Sequence, residues 1–581
     1  MGNARAKTLQ EIFYTRTEGD SSADLYIHYK RERGKPYHSL SYGEFGTRVK
    51  AIASSLAHLG VQKGDRVLLS SESSPEWMVT DFACIVLGAI SVPIFPTLTA
   101  KQVEYILNNC GAKAAVVSNE YQLRKITSSL DALTALQLVI VMDESVPLPD
   151  DFKISYYRFS ELEREGLPDA ISPAAVSEED LVTIIYTSGT TGDPKGVMLT
   201  HRNLVSNLYA AIDAIPAVGS KDCFLSFLPL CHAFERIASY LVFAAGVQVA
   251  YAESIESIGD NMQEIRPTVM TAVPRFFERL HSRIQSSRQK MPFYRRAIFD
   301  WGLRIGKEYA KKVERKPVSA ITSALFPIAN KLVLSKIRER TGGRMRFFIS
   351  GGAALDAELG RTFAAFGLYV LEGYGLTETS PVVAVNQMDS LTWGTVGKPL
   401  PGVEVVIAGD GEILIRGASV MKGYYNDHQA TAEMIDVEGW LHSGDIGIIT
   451  DDGLLKITDR KKHIIVLANG KNIAPMRVEG LLERSSLIEQ AVVIGEKQDY
   501  CTALIVPSDL QATEAEIQAT INLVNRELAA FEKIRRFSLV KEPFTVENGM
   551  MTPTLKIKRK QVQQQYSALI DSMYSDGLGT G

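Results

Sequence analysis

The chain has 581 residues, and its length and composition already limit what it can be. At roughly 150 residues per domain, this length predicts two or more domains. Hydrophobic residues make up 45% of the chain and charged residues 22%. A chain this apolar can bury enough surface to fold, so it is not predominantly disordered. The formal net charge of −4 excludes a polycation that coats nucleic acid, and we expect no nucleic-acid partner.

Cysteine usage and the length of the apolar runs indicate the cellular compartment of the protein. Its five cysteines show no CxxC spacing, so neither a disulfide framework nor a zinc knuckle is indicated, and a reducing compartment is favoured. The N-terminus has no apolar core of signal-peptide length. The apolar runs 82–96 and 237–250 are too short or too interrupted to span a bilayer. We therefore expect a cytoplasmic protein, or one that is peripheral on the inner face of a membrane.

Helix-like and strand-like patterns alternate along the first part of the chain. Residues 40–60 carry Phe45, Val49, Ile52 and Leu56 at helical spacing, and residues 77–88 form a second helix-like stretch. Short apolar strands are predicted between and after them, at 66–70, 114–118, 138–142, 181–186, 248–251, 346–350 and 369–372. This alternation predicts an α/β fold with layered α/β subdomains.

The pattern changes after about residue 392. Short strands separated by Gly and Asp turns predict a β-rich subdomain, with strands at 404–408, 411–416 and 446–450. A compact set of elements follows the charged stretch Asp459-Arg-Lys-Lys, namely helices at 476–485 and 515–532 and strands at 490–494 and 503–506. We therefore predict a large N-terminal domain at 1–458, a hinge at 459–462 and a small, mobile α+β C-terminal domain at 463–581.

The strongest local pattern is the string Tyr186-Thr-Ser-Gly-Thr-Thr-Gly-Asp-Pro-Lys-Gly-Val, which follows an apolar strand. Its glycines let backbone N–H groups approach a polyanion, its hydroxyls add donors, and Lys195 adds a positive charge. It is not a Walker A loop, because Lys195 is followed by Gly196 and not by Ser or Thr. We interpret the string as a phosphate-binding loop, although a shorter Ser/Gly string would more often be a polar turn.

Four further strings follow in a fixed order. They are Gly373-Tyr-Gly-Leu-Thr-Glu-Thr, Gly439-Trp-Leu-His-Ser-Gly-Asp, Asp459-Arg460 and Gly470-Lys-Asn-Ile-Ala-Pro. Together with the phosphate-binding string they resemble the motifs of the adenylate-forming superfamily, which includes acyl- and aryl-CoA synthetases, luciferases and peptide-synthetase adenylation domains. The resemblance covers roughly residues 40–560 and implies ATP, Mg²⁺ and coenzyme A as cofactors.

The resemblance implies a role for each matching residue. The β- and γ-phosphates of ATP would be held by Thr187, Ser188, Gly189, Thr190, Thr191 and Lys195. Adenine would lie against Gly351, Gly352 and Ala353 and stack on Tyr374, which precedes Gly375 in its motif. Thr377 would bond the α-phosphate, Glu378 would hold Mg²⁺, and Asp445 and Arg460 would bind the ribose. Mg²⁺ suits this arrangement because it prefers carboxylate, phosphate and water oxygens.

Four other positions follow from the same resemblance. Lys556 matches the adenylation lysine that the superfamily carries near its C-terminus, with Lys558 as the alternative, because Leu555 replaces the usual preceding glycine. A cation suits this step, because the α-phosphoryl transition state spreads negative charge over its oxygens. Lys462 matches the pivot of the mobile domain. The Gly470 turn would meet the thiol acceptor, and His232 would orient the acyl carboxylate.

Two strings narrow the class of acid. His232-Ala-Phe-Glu-Arg and the insertion that begins Val273-Pro-Arg-Phe-Phe look like those of long-chain fatty acid–CoA ligases. The resemblance implies that a fatty acid is adenylated with MgATP and then transferred to CoA. A fatty acid–acyl carrier protein ligase is the first alternative, since only the acceptor differs. A catalytically inactive nucleotide- or acyl-binding relative is the second, and it is disfavoured because the motif residues are all present.

The charge of residues 275–346 differs from that of the rest of the chain. This basic insertion contains 19 Lys and Arg against 5 Asp and Glu, a balance of +14, so the remainder carries −18. Aromatic residues such as Phe293 and Trp301 lie among its basic residues. We hypothesise that the basic insertion contacts an anionic membrane from which fatty acid is collected. An acidic acyl carrier protein, the 3′-phosphate of CoA, or plain solvent are the alternatives for this surface.

Overall fold

The computed structural model describes most of the chain. The described residues are 5–19, 22–30, 32–149, 153–187, 193–485, 487–509, 512–545, 548–551 and 557–575. By its internal contacts the chain divides into two compact units. Unit 1 comprises residues 1–405, 415–442 and 450–455, and unit 2 comprises residues 406–414, 443–449 and 456–581.

The α-helices of the described residues are, in chain order, α1 (Leu9–Thr17), α2 (Tyr42–His58), α3 (Pro75–Leu87), α4 (Ala100–Cys110), α5 (Glu120–Thr127), α6 (Phe159–Glu165), α7 (His201–Ala214), α8 (Ala233–Ala244), α9 (Ile258–Ile265) and α10 (Pro274–Gln289). They continue with α11 (Phe293–Ala310), α12 (Ala320–Ala329), α13 (Ser335–Glu339), α14 (Ala357–Ala365), α15 (His428–Met434), α16 (Pro475–Glu483), α17 (Glu514–Val524), α18 (Arg559–Gln565) and α19 (Ser567–Ser575).

The strands begin with β1 (Tyr26–Tyr29), β2 (His38–Ser41), β3 (Arg66–Ser70), β4 (Ile90–Pro93), β5 (Ala114–Val117), β6 (Leu138–Val141), β7 (Ser155–Arg158), β8 (Leu181–Thr187) and β9 (Lys195–Thr200). Next come β10 (Cys223–Ser226), β11 (Gln248–Tyr251), β12 (Val269–Ala272), β13 (Phe347–Ser350), β14 (Tyr369–Gly375), β15 (Val382–Val385), β16 (Lys398–Pro399), β17 (Val403–Ile407) and β18 (Glu412–Gly417). The last are β19 (Gly423–Tyr424), β20 (Leu441–Ile449), β21 (Leu455–Arg460), β22 (Ile465–Val466), β23 (Asn472–Ile473), β24 (Ile488–Ile494), β25 (Cys501–Pro507) and β26 (Ile534–Leu539).

Local sequence signals explain where the first helices begin and end. Helix α2 starts with a capping box, in which Ser41 and Glu44 each bond the other's backbone N–H. Helix α3 has Pro75 in its first turn and ends at Gly88, which adopts a left-handed conformation. The apolar face predicted for residues 40–60 is confirmed, because its four apolar side chains are all buried.

Unit 1 contains two large sheets. The eight-stranded sheet has the order β19-β9-β8-β4-β3-β5-β6-β7, and its strands from β8 through β4, β3, β5 and β6 to β7 are parallel. The nine-stranded sheet has the order β16-β15-β14-β13-β12-β10-β11-β1-β2. Helices cover these sheets, as is usual for parallel strands that are buried on both faces. The predicted α/β class is therefore confirmed.

Smaller sheets complete the fold. Strands β17, β18, β20 and β21 form a four-stranded sheet in that order, in the region predicted to be β-rich. Unit 2 contains the β22–β23 hairpin and the three-stranded sheet β24-β25-β26, with a core of its own that includes Val478, Val493 and Ile517. A smaller domain with helices and strands therefore follows the large one, as predicted. Its mobility and the hinge at 459–462 stay predictions.

One predicted helix is shorter in the structure. The pattern predicted a helix over 515–532, whereas α17 ends at Val524. The next residue, Asn525, donates its side-chain amide to the carbonyl of Ile534 and accepts from the N–H of Ile534, both at 2.9 Å. The Asn525 side chain thus bonds the start of β26, which fixes the turn that follows the helix.

The basic insertion is helical and contains an apolar segment that the sequence analysis overlooked. Helices α12 and α13 are joined by a π-helical turn at Asn330–Leu334, so that Ala320–Glu339 runs as one helix. Within the described part of the chain, this is the one helix long and apolar enough to cross a membrane by length and composition. Only 17% of its most apolar 18-residue window is buried.

Two consecutive charged residues of α8 are buried in the core of unit 1. Arg236 pairs with Asp81 of α3, and their side chains are 1% and 0% exposed. The guanidinium also donates to the hydroxyls of Ser91 on β4 at 2.6 Å and Thr183 on β8 at 2.7 Å. The Tyr240 hydroxyl, which accepts from Arg236 at 2.8 Å, also bonds Asp81. Every charge in this cluster has a partner, as burial in a low dielectric requires.

Glu235, the residue before Arg236 in α8, is also buried. Its carboxyl group bonds Ser226 of β10 at 2.5 Å and also Thr271 of β12. Burial raises the pKa of Glu235 to about 7, because a charged carboxylate is poorly solvated there. Adjacent residues of α8 therefore bond different sheets, Arg236 the eight-stranded one and Glu235 the nine-stranded one.

Removing the carboxylate while keeping the guanidinium tests the buried pair. We expect Asp81→Ala to lower the free energy of unfolding by about 3–5 kcal/mol, because it leaves the Arg236 charge buried without a counter-ion. The exposed pair of Arg202 and Glu179 is the matched control, and Glu179→Ala should cost less than about 1 kcal/mol. Urea unfolding followed by tryptophan fluorescence measures both losses. Equal losses would contradict the role given to the buried pair.

The raised pKa of Glu235 predicts that stability falls as pH rises. This group's contribution is complete below the ordinary pKa of 4.5 and is lost as pH rises through about 7. We expect Glu235→Gln to flatten the decline between those values, by at most about 1.4 kcal/mol per pH unit. Urea midpoints at pH 5 and pH 7 measure the slope. Glu372, whose pKa burial also raises to about 7, is the same in both proteins and cancels. An unchanged slope would count against this account.

Candidate active site

The two described ends of the phosphate-binding string lie opposite each other on neighbouring strands. Thr187 ends β8 and Lys195 begins β9, and the two residues are paired in the antiparallel register of this hairpin. The backbone pairing therefore brings the hydroxyl-bearing end and the lysine to one end of the hairpin. Ser188, Gly189, Thr190 and Thr191, which were assigned to the same loop, lie outside the described residues.

Lys195 has two neighbours from a segment much later in the chain. Its Nζ lies 4.0 Å from Oδ2 of Asp427 and 5.3 Å from the ring centroid of Tyr424. A cavity of about 270 Å³ opens beside the lysine, and its polar lining includes Asn109 and Asp193. The side chain of Lys195 keeps 34% of its surface exposed, so its charge can reach a ligand in this cavity.

Glu378 lies in the short 3₁₀ turn Thr377–Thr379, immediately after β14. It is 8% exposed, and its Oε1 accepts a hydrogen bond of 2.9 Å from the hydroxyl of Tyr424. The turn needs glycine at position 375, because a Cβ there would lie 1.7 Å from the carbonyl oxygen of Pro381. Tyr424 thus contacts both Lys195 and Glu378, two residues that the sequence analysis assigned to ATP and Mg²⁺.

The segment assigned to adenine follows β13. Gly352 and Ala353 are exposed, whereas Gly351 is buried, and a Cβ at Gly351 would lie 3.1 Å from the ring of Phe234. The hydroxyl of Ser350, just before them, is buried without a hydrogen-bond partner among the described residues. Tyr374 is half-buried near the end of the adjacent strand β14. Backbone open to solvent beside an aromatic strand end is suited to a planar base.

His232 is the N-cap of α8. Its Nδ1 accepts a hydrogen bond of 3.2 Å from the N–H of Phe234, and its ring meets that of Phe95 edge-on at 6.2 Å. This bond at Nδ1 orients the imidazole ring, and the side chain is half-buried. Because Glu235 and Arg236 follow in the next turn, the buried bonds of α8 also set the position of His232.

In unit 2 the two residues assigned to ribose are paired. Nε of Arg460 lies 3.0 Å from Oδ1 of Asp445, which is 3% exposed. Neighbouring Lys461 forms ion pairs with Asp410 and Glu412, and its bond to Asp410 is the largest of the causes that raise the pKa of Lys461 to about 12. Arg460 therefore orients the Asp445 carboxylate, and carboxylates are strong acceptors of hydrogen bonds from hydroxyls.

The remaining assigned residues are described only in part. Gly470 is exposed in the turn between β22 and β23, and its N–H donates to the carbonyl of Leu467 at 2.8 Å. Lys462 lies in the short 3₁₀ turn Lys461–His463, but its side chain is not among the described groups. Lys556 lies outside the described residues, whereas Lys558 precedes α18. The adenylation lysine therefore stays a prediction.

Sequence reasoning missed Tyr424 and Asp427. Both belong to the string Met421-Lys-Gly-Tyr-Tyr-Asn-Asp, which the sequence analysis did not single out. Two adjacent tyrosines followed by Asn and Asp are a pattern that could have marked a candidate site. The string alone does not show which residues these side chains contact. The pairing of β19 with β9, Tyr424 opposite Val197, brings them beside Lys195.

Comparisons with known proteins match both parts of the chain. The family model described as AMP-binding enzyme matches residues 19–425, and the AMP-binding enzyme C-terminal domain matches residues 462–577. Long-chain-fatty-acid–CoA ligase FadD15 of Mycobacterium bovis is 35% identical over 577 residues, covering 95% of this chain and 94% of that protein. Long-chain-fatty-acid–[acyl-carrier-protein] ligase AEE15 of Arabidopsis thaliana is 30% identical, covering 93% and 84%.

Solved structures share the fold. ATP-bound MatB from Rhodopseudomonas palustris superimposes with a TM-score of 0.73 at 24% identity, covering 96% of this chain and 99% of that one. A likeness at this identity establishes the architecture, and the family model, which matches more than half of the chain, establishes the kinship. The chain belongs to the family of AMP-binding enzymes.

Proposed function

We propose that the protein is a long-chain fatty acid–CoA ligase, an ATP-dependent and AMP-forming acid–thiol ligase. The observation that carries this proposal is the 35% identity, over almost the whole length of both chains, to a protein of that name. The charged residues that the superfamily resemblance assigns to chemistry are also present, namely Lys195, Glu378, Asp445, Arg460 and Lys556. An inactive relative should have lost at least one of them.

In the first half-reaction the fatty acid carboxylate attacks the α-phosphorus of ATP. A new P–O bond forms, the bond to pyrophosphate breaks, and acyl-AMP results. The carboxylate is already ionised, so no general base is needed, and catalysis consists of positioning and charge neutralisation. Lys195 neutralises phosphate oxygens, Thr377 bonds the α-phosphate, and His232 orients the carboxylate. Lys556, or in its place Lys558, holds the carboxylate and phosphate together.

The residues around Glu378 fit a magnesium ion that is bound together with ATP. Within the described ranges, no group of three or more His, Cys, Asp or Glu side chains could hold a metal ion. A single buried carboxylate suits Mg²⁺, which usually takes its remaining ligands from substrate phosphates and water. When bound, Mg²⁺ neutralises phosphate charge. The chain's own part is to hold the Glu378 carboxylate in place through the hydrogen bond from Tyr424.

In the second half-reaction the thiol of CoA attacks the acyl carbonyl, the thioester forms and AMP leaves. Asp445 and Arg460 hold the ribose of the nucleotide. The C-terminal domain pivots at Lys462 between the steps, which withdraws Lys556 and brings the Gly470 turn to the thiol. Support for these roles comes from the motif matches and from the ion pair of Arg460 with Asp445.

ATP-dependent thioester formation with octanoate, palmitate and oleate tests the proposal. CoA and acyl carrier protein are offered in parallel, because one 30% identical relative is named as an acyl-carrier-protein ligase. We expect thioester on CoA and the higher kcat/KM with the long-chain acids. Glu378→Gln is the matched inactive control and should lower kcat/KM at least about 100-fold, since the Mg²⁺ that would neutralise the phosphate charge loses its carboxylate ligand. Thioester on carrier protein alone would overturn the proposed acceptor.

The proposal includes contact with an anionic membrane through the basic insertion. The apolar side chains of Ile321, Ile328 and Leu332 are 73%, 51% and 46% exposed, and their spacing places them along one face of the α12–α13 helix. Lys331 and Lys336 are exposed on the same helix. Together with the +14 charge of the insertion, this composition favours a lipid surface that is both apolar and anionic.

Vesicle flotation tests this contact. We expect the protein to float with vesicles that contain phosphatidylserine and not with neutral vesicles, and salt should weaken the binding. The double variant Ile321→Glu/Ile328→Glu should lose flotation but keep ligase activity on octanoate, which is soluble. Val437→Glu is the control, because Val437 is an even more exposed apolar residue that lies outside the insertion. Unchanged flotation of the double variant would exclude this helix as the contact.

A further inference from the structure

We infer that Tyr424 is a positioning residue for the adenylation step, which orients the Glu378 carboxylate and supports the Lys195 ammonium at the same time. The inference rests on the proposed function, because that proposal gives Glu378 and Lys195 their roles toward MgATP. Tyr424 itself touches neither substrate in this account. It acts through the two charged residues that it contacts.

The geometry of the phenol supports this role. Tyr424 is 5% exposed, and its hydroxyl donates to Oε1 of Glu378 at 2.9 Å. The same ring lies 5.3 Å from Nζ of Lys195. One buried side chain therefore connects the end of the β8–β9 hairpin with the turn that follows β14, two segments far apart in the sequence.

The backbone holds Tyr424 in place. Strand β19 pairs with β9, the strand that begins with Lys195, so the tyrosine and the lysine are carried by neighbouring strands. The N–H of Tyr424 also donates to Oγ1 of Thr431 in α15 at 2.9 Å. A side chain anchored in this way can orient its partners, because its own position is determined by a sheet and by a helix.

The chemistry of a phenol suits both contacts. A phenol carries its proton at neutral pH, so the Tyr424 hydroxyl donates its hydrogen bond to the Glu378 carboxylate. A donor on one oxygen orients the carboxylate without neutralising it, as hydrogen bonds to metal-ligating carboxylates do. The ring face attracts Lys195 while leaving its charge available to phosphate, unlike a tight ion pair. Asp427, the carboxylate facing Lys195, is 4.0 Å away.

Equilibrium binding of a fluorescent ATP analogue, with and without Mg²⁺ and without fatty acid, tests the inference. Tyr424→Phe removes the hydroxyl but keeps the ring. We expect it to weaken the Mg²⁺-dependent part of binding by about tenfold, the lower end of the range for such supporting bonds, and to leave binding in EDTA unchanged. Tyr424→Leu also removes the ring, and it should weaken binding in EDTA as well. The KM for fatty acid should stay the same in both variants.

Tyr42→Phe is the matched control, because it removes a buried hydroxyl that donates to the backbone carbonyl of Val247. It should not change binding of MgATP. Glu378→Gln should weaken the Mg²⁺-dependent part of ATP-analogue binding. If it does, the inference is overturned by a Tyr424→Phe variant whose affinity for the analogue falls equally with Mg²⁺ and in EDTA, or does not fall at all. If Glu378→Gln and Lys195→Met both bind MgATP as the parent protein does, the proposed site fails, and the inference fails with it. Thermal unfolding of each variant shows whether the fold is kept.

Discussion

The buried pair of Asp81 and Arg236 is the interaction on which the arrangement of unit 1 depends. A guanidinium inside a protein is tolerated only where its charge and its N–H groups all have partners. Arg236 obtains them from α3, β4, β8 and its own helix, so these four elements have one mutual arrangement that satisfies the cluster. The next residue toward the N-terminus, Glu235, bonds β10 and β12. Helix α8 is thereby attached to both large sheets.

This attachment has consequences at the site. Strand β8, which Arg236 contacts through Thr183, ends at Thr187 and leads into the phosphate-binding string. His232 caps the same helix one turn before Arg236. The predicted phosphate end of β8 and the predicted acyl-orienting histidine are therefore positioned by a single buried cluster. The cluster is buried and polar, so a change in it should displace two parts of the site together.

The surface of the basic insertion combines exposed apolar side chains with a high positive charge. The α12–α13 helix is as apolar as a membrane-spanning segment, yet most of it is exposed, and it lies within the most basic part of the chain. Burial of this helix in a core would remove Lys331 and Lys336 from water, whereas an anionic lipid surface would accept both its apolar side chains and these lysines. The proposed contact with an anionic membrane rests on this combination of exposed apolar and basic side chains.

The sequence by itself determined the class of fold, the segments that form it and the family. Helical spacing, apolar strands and glycine-rich loops are local properties, so the helix over residues 40–60 and the phosphate-binding string were recognisable without coordinates. Local patterns overestimated the length of α17. The helix ends where the Asn525 side chain bonds the backbone of Ile534, and a bond between two different elements cannot be recognised from a local pattern.

Only the tertiary structure decided which side chains meet. Tyr424 contacts Glu378 and Lys195 because β19 pairs with β9. Pairing between strands that are distant in the sequence cannot be recognised from the sequence of either strand alone. The same holds for Arg236, whose partners come from three other elements, and for Ile321 and Ile328, whose exposure depends on what packs against their helix. Sequence patterns report local preference, whereas contacts between distant segments depend on the whole fold.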